Sequence, residues 1–343
     1  MNIKKIGLSA LAGSLAMVSA SAVELAVSGK SEVTYLTNDS TTTTGNPFGF
    51  GNEISFTGTG DVNGMTATYF STIGDGGGAF ASSEISLDMG DMGLIGFDQG
   101  VGSYGVSTID DKMPYAYEEI WTYTGANRGL RAHGGATNVL GYKNTVAGYT
   151  LNLEINPGSG PTSIETTAAL ATSGAIGTSG DGISSGAGTT NSGYNWALTG
   201  SPIDGLNVGV GYGSEESTLT TTNAADAEYA TAYVTYAVGG ATIGYQQSEG
   251  SGGQTGQASN EVELYGVSFS VNENFAISYN IMDTTFDKTG AAAIDVTEET
   301  SGFGASYTMG SAAVRLLTAK TDNLGGTTGV SQDVTELSLM LAF

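Results

Sequence analysis

Apolar and polar residues alternate along most of the chain, and this pattern predicts a long succession of β-strands. The alternation is clearest in the last ten residues, where Leu337, Leu339, Leu341 and Phe343 would share one face of a strand. It recurs in segments such as residues 275–281, so that sixteen candidate strands can be counted. A strand with one apolar and one polar face suits lipid on one side and water on the other.

The connections between these strands alternate between short turns and long loops. Short turns rich in Gly, Asn or Asp are predicted at residues 62–64, 90–93, 146–148, 203–205, 238–240, 272–274 and 309–311. Longer loops are predicted at residues 37–50, 99–136, 157–192, 215–226, 250–259, 285–297 and 322–331. This arrangement is typical of a transmembrane antiparallel up-and-down β-barrel with short periplasmic turns and long external loops. The predicted fold class is therefore all-β, with about 16 strands in one barrel.

Two segments fit this scheme less well. Residues 93–98 make a short strand, and the apolar parity of residues 261–271 changes near Leu264 and Tyr265. One extra residue in a strand would shift the parity of the residues that follow it. The sequence therefore predicts a β-bulge near Leu264.

The amino terminus has the features of a secretory signal peptide. Lys4 and Lys5 precede an apolar run, residues 6–18, and a small-residue cleavage site follows. A membrane anchor is the competing interpretation, but the run is short for crossing roughly 30 Å of hydrocarbon. We expect removal of residues 1–22, which leaves residues 23–343 as a single barrel domain.

Residues 157–192 are rich in Ser, Thr, Gly and Ala and contain few large apolar side chains. Such a segment buries too little apolar surface to fold on its own. We expect a mobile external loop here. A linker between two soluble domains is the alternative, but similar strand patterns flank the segment on both sides.

Composition narrows the function classes. The net charge is −24, which argues against nucleic-acid binding. The chain has no cysteine, so stability must come from hydrogen bonding and packing, as in a closed sheet. No apolar stretch after the leader is long enough for a membrane-spanning helix, so a place in the membrane requires a barrel.

Residues 93–155 resemble the general porins of Gram-negative outer membranes. A short strand is followed by a long third loop, then by a strand containing Asn138 and Tyr142, and then by the turn at residues 146–149. With the terminal Phe343, the resemblance covers the whole mature chain as architecture. The loop lacks the acidic Pro-Glu-Phe-Gly-Gly type of motif found in part of the family, which leaves the geometry of its tip open.

The resemblance implies a passive, non-enzymatic channel for ions and small hydrophilic solutes in the outer membrane, without a cofactor. It also implies that the third loop folds into the lumen and that three copies associate as a homotrimer. Outer-membrane lipid and lipopolysaccharide would surround the barrel. The barrel-assembly machinery would recognise the carboxyl-terminal strand through Leu337, Leu339, Leu341 and Phe343.

A diffusion pore works through fixed charges along a water-filled passage. By strand parity, the charged side chains expected on the pore wall are Lys30, Glu32, Glu53, Glu84, Asp88, Asp98, Lys143, Glu154 and Arg315, with Arg128 and Arg131 on or near it. The constriction loop would carry Asp110, Asp111, Glu118 and Glu119. Opposed loop acids and wall bases would create a transverse field, whereas the plainer alternative is that these acids solvate an external loop. Because inward carboxylates outnumber inward amines, the sequence predicts a modest cation preference.

Paired acids such as Asp110 with Asp111 and Glu118 with Glu119 also offer oxygen ligands to Ca²⁺. None of these pairs has the spacing of a known calcium loop. A secreted acidic protein that binds calcium or acts as an adhesin, such as a β-solenoid, is therefore the alternative function. Uneven strand spacing argues against a solenoid, which has a fixed short repeat.

Motifs typical of enzymes are weak in this chain. Gly209, Gly211 and Gly213 alternate on one strand with no helix pattern after them, so we expect a strand face made small for packing rather than a dinucleotide turn. The one histidine, His133, has no partner histidine. A barrel lipase or protease would need a catalytic set that this composition makes hard to build.

Overall fold

The computed structural model describes residues 24–39, 46–74, 82–122, 137–157, 192–216, 226–251, 257–288 and 294–343. Sixteen strands account for most of this part of the chain. Their bounds are β1 Glu24–Asn38, β2 Phe48–Val62, β3 Met65–Gly74, β4 Ser82–Asp88, β5 Leu94–Gln99, β6 Thr137–Val146, β7 Tyr149–Asn156, β8 Gly193–Ile203, β9 Leu206–Glu215, β10 Ala227–Val238, β11 Ala241–Ser251, β12 Gln257–Ser270, β13 Phe275–Lys288, β14 Val296–Met309, β15 Ala312–Asp322 and β16 Ser331–Ala342. Short 3₁₀ helices are described at Gly90–Met92, Gly105–Thr108 and Leu324–Gly326.

The strands form one closed antiparallel barrel in sequence order, which confirms the predicted fold class and strand number. β1 pairs with β16, from Lys30 opposite Ala342 to Asn38 opposite Val334. The backbone amide of Phe343 donates to the carbonyl of Gly29 over 2.9 Å, so the pairing continues to the last residue. Closure leaves no free sheet edge to pair with another chain. The β-solenoid alternative is wrong, because the strands of one closed barrel do not stack as short repeats.

Tight turns join the strands at one end of the barrel, and their residues have the positive φ angles that such turns need. Asn63 and Gly64 between β2 and β3 have φ angles of 55° and 83°. Ala147 and Gly148 between β6 and β7 have φ angles of 53° and 82°. Two consecutive positive φ angles define the hairpin turn whose twist matches that of the flanking strands.

The barrel wall has two faces of different chemistry, because successive side chains alternate between them. The apolar face carries exposed large side chains throughout the sheet, including Ile85, Val210, Val267 and Leu339. The opposite face, here called the polar face, carries the residues between them. Its charged and amide members include Glu32, Glu84, Asp98, Glu154, Asn195, Gln246, Asn280 and Glu336.

The β-bulge predicted near Leu264 is wrong. β12 pairs with β11 and β13 without a register shift from Ser259 to Ser270. Tyr265 and Val267 lie on the apolar face, whereas Val262 and Leu264 are fully buried on the polar face. The parity of the sequence changes because this strand has apolar residues on both faces, one set of which packs against another part of the chain.

The predicted signal peptide lies outside the described residues, as does nearly all of the long loop predicted at residues 157–192. Among the described residues, no helix is long and apolar enough to cross a membrane.

Candidate functional site

Residues 101–122, here called the wall segment, leave β5 and run along the polar face of the barrel. Backbone amides of the segment donate to side chains of that face on strands far apart in the sheet. The amide of Val106 donates to Asn195 on β8 over 2.8 Å, and that of Ala116 to Ser278 on β13 over 2.9 Å. The Nε2 group of Gln246 on β11 donates to the carbonyl of Ile109 over 2.8 Å. The wall side chains thus satisfy the backbone of a segment that has little secondary structure of its own.

Glycines on the wall create the space in which the segment lies. The ring of Tyr104 covers Gly96 on β5 and Gly141 on β6, where an added Cβ would lie 1.9 and 2.0 Å from its nearest atoms. Further along, Gly211 on β9 lies beneath Val106, where an added Cβ would be 2.8 Å from the valine Cγ1. The alternating glycines of β9 therefore do make one strand face small for packing, as the sequence predicts.

The first end of the wall segment is held by two carboxylates. Asp98 on β5 accepts from the backbone amides of Val101 and Ser103 over 2.7 and 2.9 Å. Glu84 on β4 accepts from the Ser103 hydroxyl over 2.5 Å and from the Tyr104 hydroxyl over 2.6 Å. Burial and the neighbouring Glu84 carboxylate raise the pKa of Tyr104, so its hydroxyl stays protonated and continues to donate.

Glu154 on β7 lies beside this end and is almost completely buried. It pairs across the sheet with Asn195, whose amide oxygen accepts from the wall segment. Its Oε1 atom has no hydrogen-bond partner among the described residues, and the same is true of Asn152 Oδ1 two residues earlier. Lys143 on β6 faces Asn152 across the sheet, but it is exposed. A buried carboxyl without a close cation is a costly arrangement.

The second end of the segment meets the seam where the first and last strands pair. The Tyr117 hydroxyl lies 3.0 Å from Glu32 Oε1 on β1 and 2.9 Å from Glu336 Oε1 on β16. Arg315 on β15 forms an ion pair with Glu32, with Nη2 2.6 Å from Oε1. The guanidinium lies against the Tyr117 ring, 4.4 Å from its centroid, which is a cation–π distance.

An apolar cluster fixes this second half of the segment to the wall. Met113, Ile120 and Trp121 of the segment pack with buried residues of β12, β13 and β15, and Tyr117 packs against them. The wall members are Val262, Leu264, Met282, Leu317 and Ala319. This cluster was not predicted from the sequence. Its trace in the sequence is the change of apolar parity in β12, where Val262 and Leu264 are apolar residues on the polar face.

The four predicted constriction acids all lie on the wall segment. Glu118 and Glu119 converge on the Thr122 hydroxyl, which lies 3.1 Å from Glu119 Oε2 and 3.4 Å from Glu118 Oε2. Burial, together with the adjacent Glu119 carboxyl, raises the pKa of Glu118 to about 7. For Glu119 the opposing effect of burial is outweighed by hydrogen bonds from Asp111 and other neighbours, which lower its pKa to about 2. The pair therefore gains its second negative charge near neutral pH.

The remaining predicted wall residues lie in different surroundings. Lys30 lies 3.9 Å from Glu53, and both side chains are exposed. Asp88 lies at the end of β4 and accepts from the backbone amide of Gly90 in the adjoining turn over 2.9 Å. Arg128 and Arg131 lie outside the described residues. The guanidinium of Arg315 contacts Glu32 and the ring of Tyr117, and its opposition to the segment acids stays a prediction.

The described residues contain no group of three or more Asp, Glu, His or Cys side chains arranged to hold a metal ion. A calcium site therefore stays an untested prediction.

Comparison with known proteins gives a consistent picture of the fold. No protein-family profile matches the chain, and no curated protein matches it in sequence. Salmonella typhi OmpF, solved with daunomycin, superposes with a TM-score of 0.67 at 12% identity, covering 94% of this chain and 98% of that one. A porin refined at 1.8 Å gives 0.62 at 15% identity, covering 93% and 100%. OmpT, an outer membrane protein of Vibrio cholerae, gives 0.63 in its trimer form at 10% identity, covering 94% and 100%. The chain thus has the sixteen-stranded barrel fold of these proteins.

Proposed function

We propose that the protein is an outer-membrane porin, a water-filled channel through which ions and small hydrophilic solutes diffuse passively. The observation that carries this proposal is the division of the closed wall into an exposed apolar face and a face rich in carboxylates and amides. Such a wall suits hydrocarbon outside and water inside. The likeness to solved porins supports the same function.

The wall segment would narrow the channel. It contacts strands as distant as β4, β8, β13 and β16, and one short segment reaches all of them most directly by crossing the interior. The polar face would then be the lumen wall, and the segment its constriction. No bond-making chemistry is required of such a passage, so we propose a channel rather than an enzyme.

A modest cation preference follows from the charges of the polar face. Its basic residues include Lys30, Lys143 and Arg315. Its acids include Glu32, Glu53, Glu84, Asp88, Asp98, Glu154, Glu298 and Glu336. The excess of carboxylates raises the local concentration of cations over that of anions, and salt screens the effect.

We propose a homotrimer because the apolar face extends further towards the long-loop end on β2 than on β12 and β14. On β2, near the long connection to β1, Phe48 and Phe50 are 61% and 66% exposed. At the equivalent end of β12 and β14, the same face carries Glu261, Glu263 and Glu299. Carboxylates mark the level of water and head groups, so aromatic side chains at that level need another protein surface to cover them. Two further copies of the chain would supply it, as the trimer form of Vibrio cholerae OmpT suggests.

Other partners follow from the proposed location. Lipopolysaccharide head groups would contact the acidic end of the outer face through divalent cations. The barrel-assembly machinery would engage the carboxyl-terminal strand, whose apolar residues end at the exposed Phe343. A cleaved signal peptide would direct the chain to export.

Planar-bilayer recording of the protein purified in detergent tests the proposal. We expect stepwise conductance in groups of three, and a reversal potential of cation-preferring sign under a KCl gradient. On a gel, the unheated protein should migrate as a trimer and the boiled protein as a monomer. A folded barrel that never conducts would contradict the channel, whereas conductance with anion preference would contradict only the charge assignment.

A further inference from the structure

Arg315 differs from the other bases of the polar face in being covered. Its side chain is only 16% exposed, whereas that of Lys30 is 53% exposed and Lys143 is also open. Beneath the guanidinium, Glu32 forms the ion pair, and the Ser338 hydroxyl lies 3.2 Å from Nη2. On the other side lies the ring of Tyr117. The positive charge is therefore enclosed between a carboxylate and an aromatic face.

The orientation of the Tyr117 ring is set by its hydroxyl group. Glu32 Oε1 already accepts from Arg315 and Ser338, so the Tyr117 proton is better directed to Glu336 Oε1, 2.9 Å away. Burial raises the pKa of Tyr117, as does the nearby Glu336 carboxylate, so the hydroxyl remains a donor. The ring also packs against the apolar cluster of the wall segment. Both ends of the side chain are thus fixed.

A fixed aromatic ring over a guanidinium affects what the channel presents to ions. An open guanidinium attracts anions and binds them through several donors. A covered one still balances Glu32, but offers little surface to water and to passing anions. The cover therefore removes an anion-attracting group from a passage that is otherwise rich in carboxylates.

We propose that Tyr117 is a positioning residue for ion selectivity, which keeps the guanidinium of Arg315 enclosed and so preserves the cation preference of the channel. This inference rests on the proposed function. It assigns to one tyrosine of the wall segment a role distinct from that of the four segment acids, which act by their own charge.

A double-mutant cycle measured as the K⁺/Cl⁻ permeability ratio tests this role. Tyr117→Leu keeps an apolar side chain against the cluster but removes the ring and the hydroxyl. We expect the ratio to fall by about twofold, because the guanidinium becomes open to anions. In an Arg315→Gln background the same substitution should leave the ratio unchanged. Tyr117→Phe keeps the ring and should give a smaller fall than Tyr117→Leu.

Two controls separate charge exposure from other effects. Tyr69→Ala, on the apolar face of β3, checks that loss of a tyrosine does not alter insertion. The largest neutral polyethylene glycol that enters the pore reports its width independently of charge. A fall in the ratio that is equal in both Arg315 backgrounds would mean that the segment has merely loosened, and would overturn the inference.

The outcomes also separate this inference from the proposed function. A folded barrel that never conducts would overturn both, whereas a conducting wild type with no cation preference would overturn this inference and the charge assignment but not the channel. A cation-preferring wild type whose ratio is unaffected by Tyr117→Leu would overturn the role of Tyr117 alone. Should Tyr117→Leu fail to fold, Tyr117→Phe still decides the matter. Its smaller fall should appear with Arg315 present and should be absent in the Arg315→Gln background, and an equal fall in both backgrounds would overturn the inference.

Discussion

The two ends of the wall segment are anchored by carboxylates in different ways. At the first end, Glu84 and Asp98 accept only from neutral donors of the segment, and Glu154 is buried beside them. At the second end, Glu32 binds a guanidinium, and Tyr117 completes the arrangement. A carboxylate that accepts several hydrogen bonds can anchor a backbone without a counter-ion. A buried carboxyl with an unpaired oxygen lowers the free energy of unfolding, because the lost hydration of that oxygen is not replaced. At the first end, the buried Glu154 thus has no close cation, whereas at the second end Glu32 is paired with Arg315.

The largest expected effect comes from filling the space beneath Tyr104 at the first end. In Gly141→Ala, the new Cβ would lie 2.0 Å from the ring, so the ring and the segment must move. We expect a loss of about 3 kcal/mol in unfolding free energy and a higher single-channel conductance, since overpacked sites relax by displacement. Gly58→Ala is the matched control, because no atom lies within 4 Å of an added Cβ there. Equal stability of both variants would show that Tyr104 does not hold the segment.

Much of the fold can be predicted from the sequence, because each strand of the barrel wall alternates apolar and polar residues. Sixteen strands, the short turns and the carboxyl-terminal strand can be predicted from period-two patterns and turn residues. The segment anchors could not be, since Tyr117 meets Glu336 across more than two hundred residues and no local pattern encodes such a contact. The β12 parity change shows the limit clearly. Its cause is apolar packing against Met113 and Ile120, which lie far away in the sequence.

The same substitution at the two ends should change stability in opposite directions. Glu32→Gln leaves the enclosed guanidinium of Arg315 without its ion pair, and should lower the unfolding free energy by about 2 kcal/mol. Glu154→Gln replaces a buried carboxyl that has an unused oxygen with a neutral amide, which could donate to the unpaired Asn152 Oδ1. We expect it to stabilise the barrel by about 1 kcal/mol. Urea unfolding in lipid vesicles measures both. Destabilisation by Glu154→Gln would mean that Glu154 does have a counter-ion.

A smaller effect should appear when pH changes the charge of the second half of the segment. Because burial raises the pKa of Glu118 to about 7, the group is largely neutral at pH 6 and largely ionised at pH 8. The added negative charge should raise the K⁺/Cl⁻ permeability ratio as pH rises through this window. Glu118→Gln should flatten the response. Glu119→Gln provides the comparison, because Glu119 is already ionised well below pH 6. A pH response that survives in Glu118→Gln would place the titrating group elsewhere.

The smallest effect is expected at an ion pair that belongs to neither end of the segment. Lys30 and Glu53 lie 3.9 Å apart with exposed side chains, so water and salt screen their attraction. Lys30→Gln should change the unfolding free energy by less than about 0.5 kcal/mol, in contrast to Glu32→Gln two residues away. Its effect on the permeability ratio should be a slight rise at low salt that disappears at about 1 M KCl, where the screening length is about 3 Å. If Lys30→Gln lowered the unfolding free energy as much as Glu32→Gln, exposure would not distinguish the two ion pairs. The reason for treating Arg315 as the enclosed charge would then be lost.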